Sequence, residues 1–394
     1  MAIRFREDVL ALKDEMIARR RDLHRHPELA FEEVRTAGMV ADELRRLGLE
    51  VQTGVGKTGV VGVLEGGHDG PTVLVRADMD ALPIQEENQT DYISTVPGKM
   101  HACGHDGHVS IGLAVAKVLS AQRDRLHGRI KFVFQPAEEI GGGALAMIAD
   151  GVLENPRPDV TLGLHLWNNL PVGKVGVTPG PCMSAADDWH CVISGYGGHG
   201  AAPHQTKDPI AAAAQIITAL QTVVSRNVDP LDTAVISVGM IRGGDAFNVI
   251  PPTVEMKGTL RTYRKATQEM VRARLRSICE GVAAAMGCQA EVTISPMTLA
   301  VDNDPATAGR IAALAAEVVG AENVLGDVRT MGSEDMSYLM DAIPGCYFFV
   351  GSANEQRGLN YPHHNPRFDV DEEALVIGAT ILANAVASFL LPEG

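Results

Sequence analysis

Thr72-Val-Leu-Val-Arg-Ala-Asp-Met-Asp-Ala-Leu-Pro83 reads as a buried strand that runs out into two carboxylates and a proline. Its apolar run, Thr72 to Val75, is continuous rather than alternating, and so is the companion run Gly59 to Leu64. Continuous apolar strands set among helical stretches belong to a largely parallel sheet covered by helices. In such sheets functional groups gather beyond the carboxyl ends of strands. Asp78 and Asp80 stand at one such end. Turn chemistry accounts for an Asp near a Pro equally well, so the meaning of these two depends on what the neighbouring strand ends carry.

Downstream lies His101-Ala-Cys-Gly-His-Asp-Gly-His108, followed by the helix formers of Val109 to Ser120. The spacing predicts a loop feeding a helix, with Asp106 near the first turn, where negative charge is favoured. Cys103 and His105 can both turn toward one cation, and thiolate with imidazole suits Zn, Mn, Co or Ni rather than Ca or Mg. A buried Cys beside a capping Asp fits the same letters. The strand Arg129 to Phe134 then leads into Gln135-Pro-Ala-Glu-Glu-Ile-Gly-Gly-Gly143. Adjacent glutamates point in different directions, so Glu138 and Glu139 can divide the work of a metallohydrolase, one ligating and one moving a proton. Strand Val160 to Leu164 is expected to end at His165. Near the C-terminus the prolines around His363 and His364 place both in a loop, and one of them is a natural fifth ligand.

Toward the N-terminus, 6–22 and 30–48 read as helices. The histidines of Leu23-His-Arg-His-Pro-Glu28 between them read as loop residues before a proline, with structural hydrogen bonding as their role. After Pro181 the pattern becomes strand, helix, two strands, helix and strand, which marks 185–297 as an inserted α+β domain. The chain thus divides into a first catalytic part (1–184), the insert, and a second catalytic part (298–394). The insert carries Gly195-Tyr-Gly-Gly-His-Gly-Ala-Ala-Pro-His204, a glycine-rich loop presenting His199; it lacks the Gly-Lys-Ser/Thr ending of a phosphate loop. The fold class expected is α/β, with a mixed, mostly parallel sheet flanked by helices.

Length alone favours two domains for 394 residues. A formal charge of -15 argues against nucleic acid as a partner. No secretory h-region and no membrane-length apolar run is expected. Six cysteines without framework spacing fit reduced thiols in a cytoplasm.

Taken together and in this order, these stretches resemble the co-catalytic metallo-aminoacylase/carboxypeptidase family. The nearest branch holds the hippurate hydrolases, N-acyl-amino-acid amidohydrolases and auxin-conjugate hydrolases. The resemblance runs over essentially the whole chain: Leu-His-Arg-His-Pro-Glu-Leu, Arg-Ala-Asp-Met-Asp-Ala-Leu-Pro, His-Ala-Cys-Gly-His-Asp, Gln-Pro-Ala-Glu-Glu, Gly-Leu-His, Gly-Gly-His and His-Asn-Pro-Arg-Phe-Asp. It implies a zinc-exopeptidase-like fold whose insert is a lid and dimerisation domain. It implies two divalent cations held by Cys103, His105, Glu139, His165 and His364, the last chosen over His363 because the family's His precedes Asn/Ser/His and then Pro. Glu138 would be the general base and acid. Asp78 and Asp80 would stand behind the ligands, with Asp80 counted alongside Glu138 and His199 in the catalytic set; the wider superfamily has a ligating His where Asp78 stands. His199 would hold the substrate's carbonyl or carboxylate oxygen, and Asn248 and Arg261 would help recognise a carboxylate. Gly200 departs from the Ala common in relatives, with no chemical consequence expected. The substrate implied is an N-acyl amino acid such as hippurate, with short peptides as the alternative, and the assembly a homodimer or homotetramer. An inactive binding subunit would require missing ligands, and none is missing.

Overall fold

The computed structural model describes residues 4–392. The chain separates into two compact units. The first comprises the described residues up to Cys182, together with Asp302–Arg329 and the described residues from Asp335 onward; the second comprises Met183–Val301 with Thr330–Glu334.

The first unit is built on an eight-stranded sheet. Its order is Glu50–Val55, Gly59–Glu65, His127–Gln135, His68–Asp78, Val160–Pro171, Gly345–Ala353, Val175–Gly176 and Val324–Leu325. The strand His68–Asp78 runs parallel to both of its neighbours, and Val160–Pro171 runs parallel to Gly345–Ala353. The first two strands are antiparallel. The sheet is therefore mixed and mostly parallel, and helices cover both faces. Strand alternation deals the side chains between two cores. Val73, Val75, Ile130, Phe132 and Phe134 face a core shared with the helices His105–Ser120 and Glu373–Leu390, whereas Leu74 and Val133 face a smaller one with Met147 and Leu339.

Several expectations need correction. Residues 6–22 do not form one helix: Arg6–Leu10 and Lys13–Arg25 are separated where the Leu12 N–H turns back to Val9 (3.0 Å), closing a tighter turn. The helix expected over 30–48 starts only at Val34, because Phe31 is left-handed (φ 63°) and the Glu28 carboxylate takes the N–H groups of Arg35 and Thr36 (2.8 Å each). The strand expected to stop before His165 continues to Pro171, since Gly345–Ala353 pairs with it along that length. Among the described residues one helix, Glu373–Leu390, is long and apolar enough by composition to cross a membrane, contrary to expectation; it is mostly buried, packed as a core helix of this unit.

The second unit holds a four-stranded antiparallel sheet ordered Ala234–Arg242, Thr253–Thr262, Ala185–Ser194, Gln289–Thr298. Helices Pro209–Asn227 and Lys265–Ala285 pack on it through Ile216, Leu220, Val271 and Leu275 against Trp189, Ile193 and Met256. Pro209 and Asp208 start the first of these helices, the Asp208 carboxylate accepting from Ile210 (2.9 Å) and Ala211 (3.2 Å).

Candidate metal centre and hydrolytic site

At the carboxyl edge of the parallel strands Asp78 pairs in register with Gln135, so the Asp78 and Pro136–Glu139 segments leave the sheet side by side. His165 lies inside its own strand, opposite Phe349. It reaches the site because its neighbour ends at that level. Cys103 and His105 arrive from the turn into the helix His105–Ser120, where Gly104 is left-handed (φ 92°). The loop carrying His364 is tied to the same turn by the His364 N–H on the Ala102 carbonyl (2.8 Å).

These side chains converge. Within each of the groups Cys103–Glu139–His364, Cys103–His165–His363, His105–Glu138–Glu139 and Asp78–His105–His108, one ligand atom per residue lies within 4.8 Å of the others. Cys103 is common to two groups. The oxygens of Glu139 face different imidazoles, Oε1 at 3.9 Å from His105 Nε2 and Oε2 at 3.3 Å from His364 Nε2. Glu138 Oε2 stands 4.0 Å from His105 Nε2.

Hydrogen bonds sort the histidines into those with a free lone pair and those without. His105 places Nδ1 on the Asp80 carbonyl (2.9 Å), and His165 places Nδ1 on the Leu166 carbonyl (2.7 Å); in both, Nε2 is left facing the cluster. His108 is spent, since its Nε2 accepts the Leu166 N–H (2.9 Å) and its Nδ1 donates to Asp78 Oδ1 (2.6 Å). His363 is spent in the same sense: Nε2 accepts the Asn168 N–H (3.1 Å), and Nδ1 points at Cys103 Sγ (3.8 Å). His364, rather than His363, thus has the side chain suited to ligation.

By their electrostatics Cys103 and His105 hold protons that a bound cation would displace. Burial pushes the Cys103 thiol well up, and Glu139, Glu138 and Asp78 push it further. Burial opposes charge on His105, but Asp78, Asp80 and Glu139 outweigh it and raise its pKa to about 10. For Asp78 burial is outweighed by Arg76, His105 and His108, which hold the carboxyl well below its usual range. Buried His105 Nε2 and Glu139 Oε1 have no hydrogen-bond partner. Orphaned buried donors and acceptors are costly; here they converge with a thiol and two further imidazoles, a donor set that fits divalent transition-metal cations.

Behind the donors stands a buried scaffold. The Asp80 carboxylate accepts the N–H groups of Glu138 (3.1 Å) and Glu139 (3.0 Å). Arg76 bonds Asp78 (2.5 Å), Gln135 (3.0 Å) and Asp335 (3.1 Å). The sequence reading passed over Arg76, Asp335 and His108; for His108 the visible signal was its place in the three-histidine stretch.

The remaining expected residues belong to the second unit. His199 lies on the short strand Gly198–His199, paired with Val249–Ile250, and the Gly200 N–H bonds the Asn248 carbonyl (2.7 Å). A Cβ at Gly200 would approach that carbonyl to 3.0 Å, so this glycine eases a tight approach. His199 is exposed and its Nδ1 accepts the Ala201 N–H (3.0 Å), which leaves Nε2–H as an outward donor. Arg261 folds its guanidinium back onto the Thr259 hydroxyl and the Leu260 carbonyl (3.0 Å), and burial lowers its pKa.

Comparison with known proteins follows the same geometry. The family model for peptidase family M20/M25/M40 matches residues 74–388. The chain is 40% identical over 374 residues to N-acetylcysteine deacetylase of Bacillus subtilis, covering 95% of this chain and 96% of that protein. It is 38% identical over 390 residues to thermostable carboxypeptidase 2 of Saccharolobus solfataricus, covering 97% of each. Among solved structures it is similar to a dinuclear metal-binding peptidase of the M20 family from Bacillus subtilis, at TM-score 0.82 and 36% identity, over 96% of this chain and 99% of the other.

Proposed function

We propose that this protein, which belongs to peptidase family M20/M25/M40, is a metal-dependent amidohydrolase that releases the amino acid from an N-acyl amino acid. The observation that carries the reading is the convergence of Cys103, His105, Glu139, His165 and His364 beside Glu138, with the orphaned His105 Nε2 and Glu139 Oε1 among them. Two divalent cations held by these five residues would supply Lewis acidity, polarising the amide carbonyl and acidifying the attacking water. Thiolate and imidazole donors favour Zn, Mn, Co or Ni.

The chain's own groups do the rest. Glu138 accepts the proton of the attacking water and returns it to the departing amine. Asp80 acts through others, since its carboxylate is spent on the Glu138 and Glu139 amides and its carbonyl sets the His105 ring. Asp78, bonded to Arg76 and His108, supports the cluster from behind. The Nε2–H of His199 suits a substrate carbonyl or developing oxyanion, a donor of a kind whose loss costs about 10²–10³ in rate. Asn248 and Arg261 would serve the substrate carboxylate. Exposed Leu231, Phe247 and Ile241 in the second unit support a homodimer or homotetramer. A cytoplasmic location accords with six free, buried cysteines.

A second reading, carboxypeptidase or dipeptidase action on short peptides, is favoured by the similarity to a thermostable carboxypeptidase. Metal analysis paired with hydrolysis of hippurate, N-acetyl-methionine and Gly-Leu separates the two. About two metals per chain with chelator-sensitive cleavage of the N-acyl compounds is expected. Glu138→Ala should keep the metals and lose turnover. Cleavage of the dipeptide alone would move the assignment to a peptidase, and normal turnover by Glu138→Ala would remove Glu138 from its role.

A further inference from the structure

Three consecutive amides, those of Ala137, Glu138 and Glu139, end on carboxylates. Asp80 takes the last two. The first goes to Glu33, from the segment that starts the helix Val34–Arg46, far along the chain from any metal-ligating candidate. Glu33 is fully buried. Its Oε1 accepts the N–H groups of Ala137 (2.9 Å) and Phe31 (3.0 Å), and its Oε2 accepts the Thr58 hydroxyl (2.5 Å).

Ala137 needs this support. It sits in the left-handed region (φ 53°), which is unfavourable for a residue with a Cβ and persists only where the surroundings hold it. The Ala137 carbonyl is tied as well, accepting from Gly142 (3.3 Å) and Gly143 (3.1 Å). The backbone angle at Ala137 sets the direction in which the chain enters Glu138, and through it where both glutamate side chains point. Released from Glu33, the peptide could relax toward right-handed angles and swing both carboxylates away from His105 and His364.

We infer that Glu33 is a positioning residue for the hydrolysis, acting through the Ala137 amide to aim Glu138 and Glu139. This rests on the proposed role of Glu138 as general base. The geometry also separates Glu33 from an ordinary helix cap, because its carboxylate bonds no N–H of the helix it precedes. Burial raises the Glu33 pKa and the Thr58 and Ala137 donors lower it, and a carboxylate has acceptor sites enough for all three converging donors.

The test uses the full-length, metal-loaded enzyme with N-acetyl-methionine, reading kcat and KM separately along with metal stoichiometry and the melting curve. Glu33→Ala is expected to lower kcat about 10²-fold, with KM little changed and the protein folded at the assay temperature. Glu33→Gln keeps a carbonyl for Phe31 and Ala137 and an NH2 for the Thr58 oxygen, and is expected to recover most of the kcat. Should Glu33→Ala fail to fold, Glu33→Asp decides: it keeps the charge but withdraws the oxygen from Ala137, and a kcat loss of roughly tenfold or more is expected. Wild-type kcat in whichever of the Ala and Asp variants folds would overturn the inference, as would a Gln variant as damaged as Ala. The wild-type enzyme in the same assay keeps the two ideas apart. Absence of chelator-sensitive turnover there removes the premise, whereas an active wild type with unaffected Glu33 variants removes only the positioning role.

Discussion

At the scale of single residues, the site depends on which atoms of each side chain remain uncommitted. His363 and His364 are adjacent, yet a backbone N–H from Asn168 occupies the Nε2 of the first while the second faces Glu139. His24, in the N-terminal Leu-His-Arg-His-Pro-Glu stretch, shows the opposite commitment: Nδ1 lies 2.7 Å from Asp106 and Nε2 3.1 Å from Glu86, so both nitrogens face carboxylates. Burial and Arg20 work against charge there, but Asp106 and Glu86 outweigh them and raise its pKa to about 9. A folded-state pKa above the unfolded value of about 6.5 means stabilisation fully present below that pH and lost as pH rises through about 9. In urea unfolding, the stability gap between wild type and His24→Asn should therefore be wider at pH 6 than at pH 9.5. A gap independent of pH would show that His24 is neutral in the fold. The sequence places His24 in a loop before a proline with a structural hydrogen-bonding role; the role agrees with its two carboxylate partners, but His24 lies in the last turn of the helix Lys13–Arg25, and only His26 stands before the proline. The charge of His24 was not legible, because that charge comes from Asp106 and Glu86, which are remote in the chain.

At the scale of elements, apolar runs and cap residues made the strands and helices readable; the helix ends near Leu12 and Val34 were moved by local turns and the Glu28 cap, and one strand end by a tertiary partner. The strand through His165 runs on because Gly345–Ala353, from the far end of the chain, pairs along it. Lys131 is another case. It lies in the strand His127–Gln135 on the face of the smaller core, and its ammonium donates to the carbonyls of Val152 (2.8 Å), Glu154 (2.7 Å) and Pro156 (2.7 Å). Burial lowers its pKa to about 8. This side chain closes the loop after the helix Gly143–Ala149, which itself follows Glu138 and Glu139. Lys131→Met fills the same space without a donor and leaves three carbonyls to find other partners. A loss of about 3 kcal/mol in chemical unfolding is expected, and an unchanged midpoint would mean that the loop rearranges freely.

At the scale of the molecule, the two tryptophans divide between the units, Trp167 in the first and Trp189 in the second. The candidate metal donors Cys103, His105, Glu139, His165 and His364 lie in the first unit. A ligand held only by the folded state stabilises it by RT ln(1 + [L]/Kd), about 4 kcal/mol at a thousandfold excess over Kd. With Trp189→Phe leaving Trp167 as reporter, chelation should lower the melting temperature seen by fluorescence. A Trp167 signal indifferent to chelator would place the metals elsewhere or nowhere.

The sequence by itself determined the fold class and which residue types are available for chemistry, because apolar periodicity, strand-end carboxylates and Cys/His spacing are local properties of the chain. Tertiary structure alone decided which of those atoms are free to act. The commitment of His363 to the Asn168 amide, the withdrawal of His108 onto Asp78 and Leu166, and the hold of Glu33 on Ala137 all rest on hydrogen bonds between segments distant in sequence. A residue's name gives its donors and acceptors, but only the folded neighbours determine which of them are already used.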